Sequence, residues 1–273
     1  MNIIKLLQHF TSANLNNMPE GAMSRNQAFA HLANIGKGIA MAAAPFGAVA
    51  IASSKSHART METPTEALQL ALTLEYLEAE YYQMGLDSGV IPTGGREEKV
   101  FMQISKHESA HVTFLKAGLG ENSIDKPAFD FTAGGEFDPF NDDPNISEAV
   151  SYAQFLALAQ AFEDTGVRAY KGQAANLMDA PDLLKAALQI HSVEARHASE
   201  VRRIRGLKGW IVQDNRGDGI PEAAQPVYNG EDAIMQAGFN TATDFGADAG
   251  TEAYDEPLTG TEANNIANLF IVT

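Results

Sequence analysis

Two short motifs in the chain have the spacing of metal ligands. Glu108 is followed three residues later by His111, and Glu194 is followed three residues later by His197. Residues i and i+3 lie on one face of an α-helix, so each Glu-x-x-His motif can direct a carboxylate and an imidazole at one metal ion. Iron, manganese and zinc all accept carboxylate and imidazole ligands. The type and spacing of the residues in the two motifs therefore predict a metal site.

Each motif is preceded by a further glutamate and a tyrosine at matching intervals. Glu75 and Glu163 lie 33 and 31 residues before the glutamates of the two motifs. Tyr82 and Tyr170 follow them by seven residues in both halves. Each tyrosine is a candidate to hydrogen-bond a ligand or relay an electron, and the alternative is a core tyrosine whose hydroxyl has some other partner. The repeat predicts one site built from two similar halves.

The four glutamates fall on the apolar seams of their helical segments. An ionised carboxylate inside a bundle costs several kcal/mol unless it is compensated. Neither Lys nor Arg shares these seams, so ion pairing within the chain is not the remedy. Two divalent cations would balance four carboxylates, and this is the ligand set of carboxylate-bridged di-iron and di-manganese bundles. The predicted metal ligands are Glu75, Glu108, His111, Glu163, Glu194 and His197.

Three nearby residues compete for a place in the site. Glu78 is the reserve candidate for the position of Glu75, which we prefer because its offset to a tyrosine matches that of Glu163. His191 lies one turn before the second motif and is expected to pack or to face solvent. His107 is expected to point elsewhere, because adjacent residues on a helix differ by about 100°.

Four long helical segments must position these residues. The first opens with a capping box formed by Thr63 and Glu66, with Pro64 at its first position. The third is expected to take Ser147 as its N-cap. Helices are predicted over about residues 63–89, 96–117, 147–171 and 179–206.

The connections between these segments predict their topology. The first and third links are short and make antiparallel neighbours. The middle link, about residues 119–146, is 28 residues long, enough to travel the bundle and start the third helix parallel to the second. The predicted fold class is therefore all-α, a four-helix bundle over residues 59–210 with one long crossover between helices two and three.

Composition excludes several kinds of chemistry. The chain has a net charge of -16 and no cysteine. Without cysteine there is no disulfide, cysteine-ligated zinc, iron–sulfur cluster or thiol nucleophile. The acidic balance argues against nucleic acid as a partner and disfavours anionic membranes.

The first 58 residues differ from the rest of the chain. They hold four basic side chains and one acidic one, and residues 38–52 form an Ala-rich apolar stretch interrupted by Pro45. This stretch is too short to span a bilayer, and the small residues Ser56 and Ala58 suit a cleavage site. We expect an export signal, a periplasmic or exported protein, and no membrane span after cleavage. The alternative is an N-terminal helix packed on the domain of a cytoplasmic protein.

The last 63 residues are also distinct in composition. Residues 211–273 contain 11 acidic side chains and one basic one, with many Gly, Ala, Thr and Asn. They predict an acidic, loop-rich extension. Residues 264–272 are apolar enough to dock as a terminal helix.

The chain resembles the ferritin-like superfamily, most closely the bacterial ferritin-like domain proteins that include the desiccation-related proteins. The resemblance covers about residues 63–210, and its segments are LTLEYLEAEYY, HESAHVTFLKAG, FEDTGVRAY and SVEARHASEVRRIRG, with AYDEPLT in the extension. It implies chemistry with O₂ or peroxide at two metal ions, iron first and manganese next. It also implies terminal carboxylates, bridging carboxylates and terminal imidazoles, which would be Glu75 and Glu163, Glu108 and Glu194, and His111 and His197 respectively.

Three functions are compatible with this resemblance. The expected one is a redox enzyme, a ferroxidase or di-metal oxidase. The alternatives are a non-enzymatic structural or stress-protection protein that uses the ions as staples, and a manganese catalase. The N-terminal arm, the crossover and the acidic tail depart from cage-forming ferritins and argue against iron storage. A homo-oligomer is compatible with the sequence, which leaves its size, the physiological metal and any organic substrate open.

Overall fold

Four long helices form a bundle in the structure, a computed structural model that describes residues 62–272. The predicted all-α class is confirmed. The predicted export signal, in residues 1–58, lies outside the described residues. The helices are α1 (Pro64–Ser88), α2 (Arg96–Leu119), α3 (Glu148–Gln173) and α4 (Pro181–Ile204).

The ends of α1 follow from local chemistry. The backbone N–H of Thr63 donates to Glu66 Oε2 (2.7 Å), and the N–H of Glu66 donates to Thr63 Oγ1 (3.2 Å), so the predicted capping box is present. Gly89 ends the helix with a φ of 77°, a left-handed conformation that glycine adopts without steric cost. Ser147 is the N-cap of α3, although its side chain makes no capping hydrogen bond.

Side-chain contacts give the relative directions of the helices. Glu75 meets His111 across α1 and α2, and two turns later the ring of Tyr82 stacks on Phe101 with centroids 5.9 Å apart. The two helices are therefore antiparallel. The short connection of residues 174–180 likewise makes α3 and α4 an antiparallel pair.

The two pairs are joined by the long crossover. Tyr82 of α1 contacts Glu163 of α3, whereas Tyr170 of α3 contacts Glu75 of α1, so these helices are also antiparallel. It follows that α3 runs parallel to α2, as predicted. Residues 120–147 make this connection.

The crossover contributes aromatic side chains to the core. Phe131 and Phe140 pack against the ring of Tyr81, with centroids 5.0 and 5.4 Å away. The Tyr81 hydroxyl is buried and donates to the carbonyl of Phe155 (2.8 Å). Asp138 is also buried and accepts hydrogen bonds from two backbone N–H groups of its own turn. The connection is thus held by packing and by side-chain hydrogen bonds.

The C-terminal segment consists of short elements. A 3₁₀ turn over Glu222–Val227 precedes an antiparallel hairpin of two-residue strands. Two helices follow the hairpin. These elements are β1 (Met235–Gln236), β2 (Phe239–Asn240), α5 (Ala242–Thr251) and α6 (Gly260–Ala267).

This segment packs on α1 and α3 around a buried arginine. Arg168 of α3 is 1% exposed and pairs with Glu231 (2.7 Å). Its guanidinium also donates to the carbonyls of Val227, Asn229 and Glu256. Apolar side chains of the segment share a core with both helices. The described residues consequently belong to one compact unit.

The terminal helix differs from the predicted residues 264–272. Its start is set earlier by a second capping box, between Thr259 and Glu262. It ends at Ala267, after which the chain turns over residues 268–270 and pairs with the crossover, where Ile271 lies opposite Phe129. The apolar residues correctly predicted which part of the segment packs on the domain, whereas the capping box determines where the helix begins.

Within residues 62–272, none of the helices has the length and apolar character needed to cross a bilayer.

Candidate metal centre

The two Glu-x-x-His motifs lie at the middle of α2 and α4 and face each other across the bundle. Glu108 and Glu194 are completely buried, and His197 is 5% exposed. His111 is only partly buried, at the edge of the site. The helical spacing therefore does direct both residues of each motif inward.

All six predicted ligands come together in two overlapping groups. Within each group the nearest carboxylate oxygens and imidazole nitrogens lie within 4.8 Å of one another. Glu108 and Glu194 belong to both groups. The first group adds Glu75 and His111, and the second adds Glu163 and His197.

Each imidazole directs its Nδ1 atom at the carboxylates. His111 Nδ1 lies 2.9 Å from Glu108, 3.1 Å from Glu75 and 3.2 Å from Glu194. His197 Nδ1 lies 2.8 Å from Glu108 Oε1 and 3.4 Å from Glu163 Oε2. The arrangement has the two-fold character that the sequence repeat predicts.

Several of these polar atoms lack a hydrogen bond of normal geometry. Such atoms are available as ligands, so they show whether the site is suited to metal ions. They are Glu108 Oε1, Glu163 Oε2, both carboxylate oxygens of Glu194, and His197 Nδ1. Buried polar groups are normally hydrogen-bonded, and leaving them unpaired is costly. Unpaired carboxylate oxygens and an imidazole nitrogen that converge in one place are suitable ligands for a divalent first-row metal. The residues fit a dinuclear centre.

The acidity of these groups in the metal-free protein reflects their crowding. Burial raises the pKa of Glu163 to about 8, and burial with the charge of Glu194 raises the pKa of Glu75 as well. Burial lowers the pKa of His111, but hydrogen bonds to the surrounding carboxylates outweigh it and raise the pKa to about 12. Without metal, protons therefore neutralise part of the buried negative charge.

The two tyrosines connect the halves of the site crosswise. Tyr82 of α1 donates to Glu163 Oε1 of α3 (2.5 Å), and Tyr170 of α3 donates to Glu75 Oε1 of α1 (2.5 Å). Burial raises the pKa of both hydroxyls, so they stay protonated and act as donors. Each tyrosine therefore orients the glutamate of the other half.

Three further residues, His107, Glu78 and His191, lie near these groups. His107 joins neither ligand group, but its ring stacks on that of His197 and its Nδ1 lies 2.9 Å from His197 Nε2, a contact that the sequence did not predict. The 100° rotation turns His107 away from Glu108 but toward α4. Glu78 is 2% exposed, although the sequence pattern favoured Glu75 and kept Glu78 only as the reserve candidate. His191 is partly buried and has a backbone partner in Val167.

Comparison with known proteins extends these observations. A family model described as a ferritin-like domain matches residues 63–207, which is more than half of the chain. The match contains all four bundle helices and the six converging residues. A search of curated proteins gave no match.

Proposed function

This chain belongs to the ferritin-like domain family, and we propose that it binds two divalent metal ions and carries out redox chemistry with O₂ or peroxide. The observation that supports this best is the pair of overlapping groups that share Glu108 and Glu194, with buried carboxylate oxygens that lack a hydrogen bond of normal geometry. Iron is the first candidate for both ions, and manganese is the second.

Each half of the bundle would hold one ion. Glu75 and His111 would be terminal ligands on one side, and Glu163 and His197 on the other. Glu108 and Glu194 would bridge, because both belong to the two groups. When bound, iron or manganese supplies the reversible one-electron oxidation that reduction of O₂ or peroxide requires.

The remaining side chains orient ligands and exclude water. Tyr82 and Tyr170 keep their protons and hold the terminal carboxylates by hydrogen bonds. On the side of Tyr82, the buried rings of Phe101 and Phe155 close the interior to solvent. Such a dry, preorganised interior strengthens the electrostatic interactions that hold highly charged ions.

Oxidation of Fe²⁺ tests the proposal. The protein is loaded anaerobically with two Fe²⁺ per chain and then exposed to O₂. We expect rapid oxidation by the unmodified protein and a rate no faster than that of free Fe²⁺ for the double variant Glu108→Ala/Glu194→Ala. Glu200→Ala is a matched control, because Glu200 lies on α4 but pairs with Arg96 outside the site. Equal rates for the double variant and the unmodified protein would contradict the proposal.

A structural role for the ions is the second candidate. The buried oxygens that lack a hydrogen bond of normal geometry favour it, since cations would neutralise them whether or not any turnover occurs. Metal-dependent stability without consumption of O₂ or peroxide would support this function. Disproportionation of peroxide by the manganese form alone would instead indicate a catalase.

We also propose that the protein is exported. The support is the apolar stretch of residues 38–52, preceded by Lys37 and followed by Ser56 and Ala58. Protein isolated from its native source should begin after Ala58 when its N-terminus is sequenced. An intact first residue in the native protein would contradict export by cleavage at this point.

A further inference from the structure

The two halves of the metal centre differ at one interior position. Glu78 follows Glu75 by three residues on α1, whereas Gly166 follows Glu163 by three residues on α3. Both positions are buried. One half thus directs an extra carboxylate at the bundle interior where the other half has no side chain.

Gly166 provides the space that Glu78 uses. A Cβ atom on Gly166 would lie 3.3 Å from Glu78 Oε1 and 3.5 Å from Glu194 Oε2. Both carboxylates therefore approach the α3 backbone at the same point. Glu78 itself is in neither ligand group, but Glu194 belongs to both, so the carboxylate of Glu78 borders the centre at this point.

Nothing in the described part of the chain neutralises Glu78. Among residues 62–272, no Lys, Arg or His lies within ion-pair distance of its carboxylate. Burial raises the pKa of Glu78, and the charge of Glu194 followed by that of Glu163 raises it further. A carboxylate in this environment needs a proton or a cation.

We propose that Glu78 is a seventh protein ligand, which binds the ion held by Glu163 and His197. The inference rests on the proposed function, since it requires a dinuclear centre. Glu163 lies one turn from Gly166 on the same face of α3, next to the space that Glu78 enters. The sequence offered Glu78 only as a substitute for Glu75, whereas here both glutamates bind metal.

A seventh ligand makes the two metal positions unequal. Five carboxylates carry one negative charge more than two divalent ions can balance. The position with Glu78 has two terminal carboxylates and should therefore favour the more highly charged ion when one of the two is oxidised. The other position, with Glu75 and His111, keeps a single terminal carboxylate.

Titration of the full-length protein with Mn²⁺ tests this proposal. Electron paramagnetic resonance of free aqueous Mn²⁺ gives the amount bound at each total concentration. We expect two Mn²⁺ per chain for the unmodified protein. Glu78→Gln should keep one ion at unchanged affinity and bind the second about 10- to 100-fold more weakly.

A second variant perturbs the same metal position without removing a carboxylate. Gly166→Ala inserts a methyl group where Glu78 and Glu194 meet α3 and should weaken the same ion. Gly118→Ala is its matched control, because a Cβ on this α2 glycine has no neighbour within 4 Å. Glu80→Gln is the control for charge, because Glu80 pairs with Lys126 outside the site. Both controls should bind Mn²⁺ as the unmodified protein does.

The outcomes separate this inference from the proposed function. Unchanged binding by both Glu78→Gln and Gly166→Ala would overturn the role of Glu78 and leave the dinuclear centre intact. Failure of the unmodified protein to bind two Mn²⁺ would overturn the proposed function itself. The metal-free Glu78→Gln variant should retain its helical circular dichroism, because an uncharged amide of similar size replaces a carboxyl group whose pKa is raised by burial. Weaker binding accompanied by loss of that signal would also count against a ligand role.

Discussion

Tyr82 and Tyr170 show at the residue scale how a repeat in the sequence becomes a two-fold arrangement in space. Each follows a glutamate of its own helix by seven residues, yet each donates to the glutamate of the other helix. This exchange arises because α1 and α3 are antiparallel. The hydrogen bonds therefore stabilise the contact between two segments far apart in the chain.

Removing one of these tyrosine hydroxyls should destabilise the protein more than removing a tyrosine hydroxyl that donates to a neutral carbonyl. Tyr170→Phe leaves Glu75 Oε1 buried without its donor, and hydrogen bonds to charged groups contribute about 1.5–3 kcal/mol. Tyr76→Phe is the control, because Tyr76 donates to the neutral carbonyl of Ile124 and should cost about 0.5–1.5 kcal/mol. The free energy of unfolding of the metal-loaded proteins, measured in urea, gives the comparison. Equal costs would show that Glu75 is not charged in the loaded state.

Metal binding should depend on pH because the ligands hold protons when no metal is bound. Burial raises the pKa of Glu163 to about 8, and hydrogen bonds to carboxylates overcome burial and raise the pKa of His111 to about 12. Metal must displace these protons, so apparent affinity rises with pH, by about tenfold per pH unit for each proton released. Calorimetric titration with Mn²⁺ between pH 6 and pH 8, in two buffers of different ionisation enthalpy, would measure both effects. An affinity that does not change with pH would contradict this assignment of protons.

At the scale of elements, the contact between α3 and the C-terminal segment depends on one glycine. A Cβ atom on Gly172 would lie 1.7 Å from the carbonyl oxygen of Leu258. The backbone of Leu258 also donates to the carbonyl of Arg168, one turn earlier on α3 (3.1 Å). The segment therefore lies directly on the helix backbone, and a side chain at residue 172 would separate the two.

Gly172→Ala should loosen the C-terminal segment from the bundle. The backbone of Leu258 cannot move aside as a flexible side chain can. We therefore expect the free energy of unfolding to fall by about 1–3 kcal/mol. The same substitution at Gly118, where a Cβ meets nothing, should be neutral or slightly stabilising because alanine favours helix. Limited proteolysis should cut residues 211–273 of the Gly172 variant faster than those of the Gly118 variant. Identical cleavage rates would mean that the segment is not held through this contact.

At the scale of the whole molecule, the bundle interior is a concentration of negative charge. Five glutamates are buried there, and the described basic groups within ion-pair distance of their carboxylates are His111 and His197. In contrast, the buried arginines Arg168 and Arg202 pair with Glu231 and Asp164. Among the described residues, these two buried arginines have carboxylate partners, whereas the five glutamates of the centre outnumber its imidazoles, so the stability of the protein should depend on what occupies the centre.

Metal ions should therefore raise the melting temperature of the whole protein. An ion present at 100 times its dissociation constant adds about 2.7 kcal/mol, and a chain of this size gains about 2–4 °C per kcal/mol. We expect an increase of at least about 5 °C on addition of Mn²⁺ to metal-free protein. The double variant Glu108→Ala/Glu194→Ala should show no increase, which calorimetry can measure. A similar increase in that variant would indicate binding elsewhere.

The sequence by itself determined the features that depend on short-range geometry. Helical periodicity relates Glu108 to His111 and Glu194 to His197, and capping chemistry sets the start of α1 at Thr63. The length of the crossover was enough to predict that α3 is parallel to α2. These features could be predicted because each follows from residues within one helix or from the length of one link.

Only the tertiary structure decided how side chains from different helices meet. The crossing contacts of the tyrosines, the stacking of His107 on His197 and the space at Gly166 for Glu78 all depend on how each helix is rotated about its axis. The packing of the C-terminal segment around Arg168 depends on residues that are about 60 to 90 positions away. Periodicity assigns a residue to a helix face, but the contact it makes there depends on long-range packing, which no local pattern encodes.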